Sequence, residues 1–202
     1  MKDLLNRLST EFDDVDGWIR IVDADWVADD LRLNVSIKFG DELEPELWEV
    51  ECGGVVEERL SSDGAEALTL KPDSPLLMPY TEPEVDLMFS ENTLTPEFLL
   101  GAVFSCCVET MGKPEYISKF LNLRPTVHGI ARSGYGLLGR FPEPVAKAIL
   151  SSLGTQPIKL KALPRGVPKR WTGSEFVSYP KLNALVIGES YVIAESFSAI
   201  RA

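Results

Sequence analysis

Residues 31–39, LRLNVSIKF, alternate strictly between apolar and polar side chains over nine positions. A chain can satisfy that pattern only as a strand with one buried face, because successive side chains on a strand point to opposite sides. Leu31, Leu33, Val35, Ile37 and Phe39 belong to the core face, and Arg32, Asn34, Ser36 and Lys38 to the wet one. A half-wet strand belongs to an antiparallel sheet rather than to the doubly covered sheet of a parallel α/β fold.

Neighbouring segments extend the pattern. Residues 18–22 form a short apolar run. Residues 48–52 alternate again, with Trp48, Val50 and Cys52 inward and Glu49 and Glu51 outward. Gly53-Gly54 then reads as a turn, with residues 55–60 as the returning strand of a hairpin. Residues 67–70 and 85–89 add two short strands, and the Pro-rich stretch 72–84 between them is excluded from a central strand. The expectation is an antiparallel sheet of about five or six strands in the amino-terminal half, preceded by an amphipathic helix at 3–13 that turns Leu4, Leu5, Leu8 and Phe12 to one side.

The second half changes character. Thr95-Pro96-Glu97 combines a capping hydroxyl, a proline for the first helical position and an acid for the first turn. The helix it starts runs to Met111 and stops at Gly112 with Pro114 beyond. It is apolar nearly all round, so it is expected to lie buried against the sheet. A short helix at 114–122, a glycine-rich loop at 129–139, a helix at 142–153, a strand at 158–162 and a basic Pro/Gly-rich loop at 163–181 follow. Residues 184–187 and 191–197 form a closing β-hairpin. The fold class is α+β: mainly antiparallel sheet packed with three or four helices. A chain of 202 residues supports one domain, with a possible division into an acidic part, 1–91, and a helix, loop and hairpin part, 92–202.

Charge is distributed unevenly. Residues 1–100 carry 7 Lys/Arg against 25 Asp/Glu, and residues 101–202 carry 13 against 6, for a net of −11 overall. Such asymmetry bears on partners and association rates rather than on fold. The amino terminus has no signal-like apolar run, and the longest near-apolar stretch, 98–108, is far short of the ~20 residues of a bilayer span. Three cysteines, two of them adjacent, do not make a disulfide framework, and the expected compartment is a reducing cytoplasm.

Motifs that carry chemistry are few. Residues 134–139, GYGLLG, match G-x-G-x-x-G, but the prolines at 142 and 144 delay the helix and no acid follows about 20 residues on to hold a ribose. The motif therefore reads as a tight turn that packs Tyr135 and Leu137. Arg140 and Arg132, with His128 and Tyr135, could still form an anion site around that loop. His128 is the only histidine, and its conceivable nucleophilic partners, Cys106 and Cys107, lie within an apolar helix where thiols are inert. No metal-ligand spacing and no cofactor motif is present. The basic loop, with Lys159, Lys161, Arg165, Lys169, Arg170 and Trp171, has the composition of a nucleic-acid contact, which the net charge opposes. It is expected to run over the surface.

Elimination leaves a non-enzymatic protein that binds a basic protein partner through an acidic surface comprising Asp23, Asp25, Asp29, Asp30, Glu49 and Glu51. An immunity- or antitoxin-like inhibitor is the specific form. The alternative is a small-molecule or anion-binding protein, or an enzyme, with a pocket around residues 128–140.

Overall fold

A computed structural model describes residues 1–40, 43–112, 117–122 and 133–202, with backbone only at 117 and 118. His128 and residues 129–132 of the predicted 129–139 loop, Arg132 among them, lie outside the described residues. The chain divides into two compact units, Met1–Leu77 with Pro180–Ala202, and Met78–Tyr179.

The first unit is a six-stranded antiparallel sheet in the order β1-β2-β3-β11-β10-β4. Its strands are β1 (Trp18–Val27), β2 (Asp30–Lys38), β3 (Glu46–Arg59), β4 (Leu68–Lys71), β10 (Asn183–Ile187) and β11 (Ser190–Arg201). The alternating segment is β2, and its five apolar residues are all buried, as are Trp48, Val50 and Cys52 on β3. Helix α1 (Lys2–Glu11) covers that apolar face, burying Leu4 and resting Leu5 and Leu8 on the same cluster, joined by Phe12 just beyond the helix. Arg7 fastens the helix: it reaches Glu46 at 2.6 Å and Glu11 at 2.7 Å, and its guanidinium lies 4.5 Å above the Phe39 ring.

The predicted Gly53-Gly54 turn does not form. β3 runs straight through both glycines, and the carboxy-terminal hairpin, β10 with β11, enters the sheet beside it. The glycines serve close approach instead. A Cβ on Gly53 would sit 2.7 Å from the Ser196 hydroxyl, and Gly54, at φ +64°, would meet Glu195 at 2.7 Å. A one-residue register shift in the β3–β11 pairing accompanies them.

The second unit holds a three-stranded antiparallel sheet, β6-β5-β7. It comprises β5 (Glu84–Ser90), β6 (Tyr135–Pro142) and β7 (Lys159–Gly166). Val85, Leu87 and Phe89 point to one face and are buried with Leu138 and Phe141. Helix α5 (Glu143–Leu153) packs against β5 and β6, and α3 (Pro96–Met111) packs on α5. α3 has the predicted ends: the Thr95 hydroxyl accepts the Phe98 N–H, and Gly112 closes the helix at φ +73°. Contrary to expectation its packing partner is a helix and not a sheet, and Phe98 and Phe104 remain exposed. Two four-residue helices, α2 (Met78–Thr81) and α4 (Ile117–Phe120), lie near β6.

Two further segments differ from the sequence reading. The GYGLLG segment is mostly strand β6 rather than a turn, and Tyr135 stands 79% exposed. Gly139 is needed because α4 crosses there: a Cβ would overlap the Phe120 carbonyl oxygen, and Leu121 bridges to Gly139. The basic 163–181 segment is not all loop. It contains the end of β7 and a small hairpin, β8 (Lys169–Trp171) with β9 (Phe176–Ser178), closed by Thr172 and Glu175. Trp171 and Phe176 face each other across it at 5.0 Å, and both are exposed.

Candidate functional site

The sheet face opposite the core cluster is open over β1, β2 and the adjoining part of β3, whereas β10 and the first half of β11 are buried on both faces, at residues 184–185 and 190–194. Strand alternation that buries Leu31, Leu33 and Val50 sends their neighbours outward, and pairing aligns these neighbours into rungs. Asp25 faces Arg32, Arg32 faces Glu51, and Glu51 faces Ser198. The next rung runs Asp23, Asn34, Glu49, Ile200. Four of the six predicted partner-binding acids, Asp23, Asp25, Glu49 and Glu51, therefore share one surface.

Arg32 stands among them, 3.4 Å from Glu49 and 3.7 Å from Glu51. The Ser198 hydroxyl donates to Glu51 at 3.2 Å. Asp29 and Asp30 sit at the β1–β2 turn, and Asp30 accepts the Gly54 N–H at 2.9 Å, which ties it to the strand irregularity. A recess of about 350 Å³, bounded by Val27, Asp30, Arg32, Glu51, Ser196 and Phe197, opens at this end of the face. Charge follows the same division: the first unit has 9 Lys/Arg against 22 Asp/Glu, a balance of −13, and the second has 11 against 9, a balance of +2.

The second unit holds a different arrangement. Asp86 points to the face of the small sheet opposite its apolar core, yet its side chain is only 5% exposed. Arg140 on β6 donates from Nε to one carboxylate oxygen at 2.8 Å, and Arg165 on β7 donates to the other at 2.6 Å. Arg165 reaches inward because β7 shifts register beside Glu84 and Val85. Burial alone would raise the Asp86 pKa; the two arginine hydrogen bonds outweigh it and hold the carboxyl below the usual aspartate range. Glu84, 3.9 Å from Arg140, is governed by burial and lies above the usual glutamate range.

Of the four residues predicted for an anion site, Arg140 is thus committed through Nε to Asp86. Tyr135 is at the far end of the same strand, five positions or about 17 Å away, so the two do not converge. Glu143 occupies the first turn of α5, just beyond that loop, and pairs with Lys147 at 2.9 Å, so the helix start beside the loop already carries a carboxylate. The sequence reading missed Asp86 and its pairing with Arg165. The available signal was one acid inside the apolar run VDLMF, which demands a counter-charge if the strand is covered.

The cysteines are chemically quiet. Burial pushes the Cys52 and Cys107 thiols up to about 12 and raises Cys106 as well. Among the described residues no group of His, Cys, Asp and Glu could hold a metal ion, and no helix is long and apolar enough to cross a membrane. No family profile, curated protein or solved structure matches this chain.

Proposed function

We propose that this protein acts in the cytoplasm as a non-enzymatic binding protein, taking a basic protein partner on the open face of its six-stranded sheet. The observation that carries this reading is the alignment of Asp23, Asp25, Glu49 and Glu51 on one uncovered surface. Ion pairs on such a surface contribute little to folding, so its carboxylates are free to exchange Arg32 for a partner's guanidinium groups at small cost. The −13 balance of the unit speeds encounter with a cationic protein and repels nucleic acid. Neutralisation of a basic effector, as an immunity or antitoxin protein does, is the specific role that this chemistry suits.

The test uses the full chain and a charge-reversed variant, E49K/E51K, whose fold is checked by thermal unfolding. Affinity capture from the host lysate at low and high salt identifies candidates, and the best is purified and titrated. The reading requires a basic protein that binds wild type with a steep salt dependence and loses at least about tenfold in affinity to the variant. Equal binding of wild type and E49K/E51K refutes it.

A further inference from the structure

The recess of about 350 Å³ at the end of the open face of the larger sheet is centred on Gly53. That position on β3 carries no side chain, and the outward residues beside it on β11, Ser196 and Ser198, are small. Val27 and Phe197 contribute apolar lining, and Asp30, Arg32 and Glu51 contribute charge. We propose that this recess receives one arginine side chain of the basic partner, its methylenes along the apolar lining and its guanidinium between Asp30 and Glu51. The proposal rests on the reading of this face as a docking surface, and it names the side chain that anchors the partner there.

Three features support it. The first is the state of the acceptors. One oxygen of Asp30 accepts the Gly54 N–H at 2.9 Å, which orients the carboxylate over Gly53. Its other oxygen makes no hydrogen bond among the described residues, and neither does the Ser196 hydroxyl. Glu51 accepts only from Ser198 at 3.2 Å, since Arg32 lies 3.7 Å from it and closer to Glu49, at 3.4 Å. An acceptor that the fold has already oriented adds little ordering cost on binding.

Charge is the second. Asp30 and Glu51 against Arg32 leave one negative charge in the recess, and the only other ion pair of the three among the described residues is Arg32 with Glu49. Asp25, opposite Arg32, and Asp29 in the adjoining turn deepen the negative field. A monocation is favoured there and an anion is repelled. The lining is the third. It mixes apolar and polar groups, and a long basic side chain has the same division into an apolar stem and a charged head. The acceptors also come from separate strands, Asp30 on β2, Glu51 on β3 and Ser196 on β11. A planar guanidinium with its fork of donors spans such a set better than the compact ammonium of lysine does.

The experiment titrates the full chain with the N-acetyl amides of arginine, lysine and citrulline, read by backbone amide chemical shifts. The arginine probe should saturate with a dissociation constant below about 10 mM, moving the Gly53, Gly54 and Ser196 amides. Citrulline, the uncharged isostere, should bind about tenfold more weakly, and lysine severalfold more weakly. Asp30→Asn keeps an oxygen for the Gly54 N–H but removes the charge, and should weaken arginine binding about tenfold. Arg32→Gln removes the competing guanidinium and should strengthen it severalfold, a gain that no folding defect produces. Absence of saturable arginine binding overturns the proposal, as do equal affinities for wild type and both variants. Lysine or citrulline binding as tightly as arginine overturns the ligand class. Ser196→Leu fills the recess without changing charge, and should weaken the purified basic partner about tenfold while its salt dependence persists. Unchanged partner affinity in that variant overturns the anchor and leaves the acidic face standing, whereas E49K/E51K tests the face itself.

Discussion

Arg32 and Arg140 each stand beside two carboxylates, and burial separates what the two clusters can do. Arg32 is 44% exposed, with Glu49 and Glu51 around it on a wet sheet face. Arg140 bonds an aspartate that is 5% exposed and shared with a second arginine. In water the pairing is worth little and its acids stay available to a partner. Out of water the pairing is obligatory, because an unmatched buried charge is costly. In the first unit the carboxylates are therefore available, and in the second the buried one is committed.

The contrast can be broken experimentally, most severely at Asp86. Replacing Arg140 and Arg165 together by alanine strands its carboxylate and should cost about 3 kcal/mol by urea denaturation. A loss below about 1 kcal/mol would put Asp86 in the same class as Glu49. Gly139→Ala should follow, at roughly 1–3 kcal/mol, because the Phe120 carbonyl would have to shift to admit a methyl group.

The two acids of the cluster should respond to pH with opposite signs. The folded pKa of Asp86 is depressed, so its contribution is complete above the ordinary aspartate range and is lost as pH falls through the depressed value. The folded pKa of Glu84 is raised, so its ionised form opposes folding at neutral pH, and that opposition is relieved as pH falls through the raised value. Glu84→Gln should thus be more stable than wild type at pH 7, with the gap closing on acidification. A gap that widens would reverse the assignment. Arg32→Ala should give the smallest effect, within about 0.5 kcal/mol in either direction, even though it changes the charge of the proposed contact face.

What the sequence disclosed followed the range of the interactions. β2 was legible because one buried face imposes its period on nine consecutive residues. The ends of α3 were legible because Thr95 and Gly112 act within one turn of themselves. Gly53-Gly54 was misread because a glycine that permits a turn and one that permits close approach look alike, and the deciding neighbours, Glu195 and Ser196, are remote in sequence. Glu49 and Glu51 could be assigned outward from alternation, whereas Asp23 and Asp25 share the parity of the buried Ile19 and Ile21 and face outward only because β1 shifts register between Ile21 and Asp23. Arg32 could be assigned outward as Glu49 and Glu51 were, but its place among the acids came only with the strand order. Asp86 and Arg165 were hidden for a related reason: a register shift in β7 brings them together, and nothing local in either segment encodes it.

The position of β11 sets a timetable. It lies between β3 and β10, so the first unit cannot close its sheet until residues 190–201 exist. Tyr191 pairs with Arg59, a partner synthesised on the order of 130 residues earlier, which at ordinary translation rates is a delay of about ten seconds. Meanwhile β3 presents an unpaired edge to the crowded surroundings of the ribosome. The contiguous segment Met78–Tyr179 emerges whole during that interval. Synthesis order therefore favours completion of the second unit first, and leaves the amino-terminal strands to whatever shields an open sheet edge on a nascent chain.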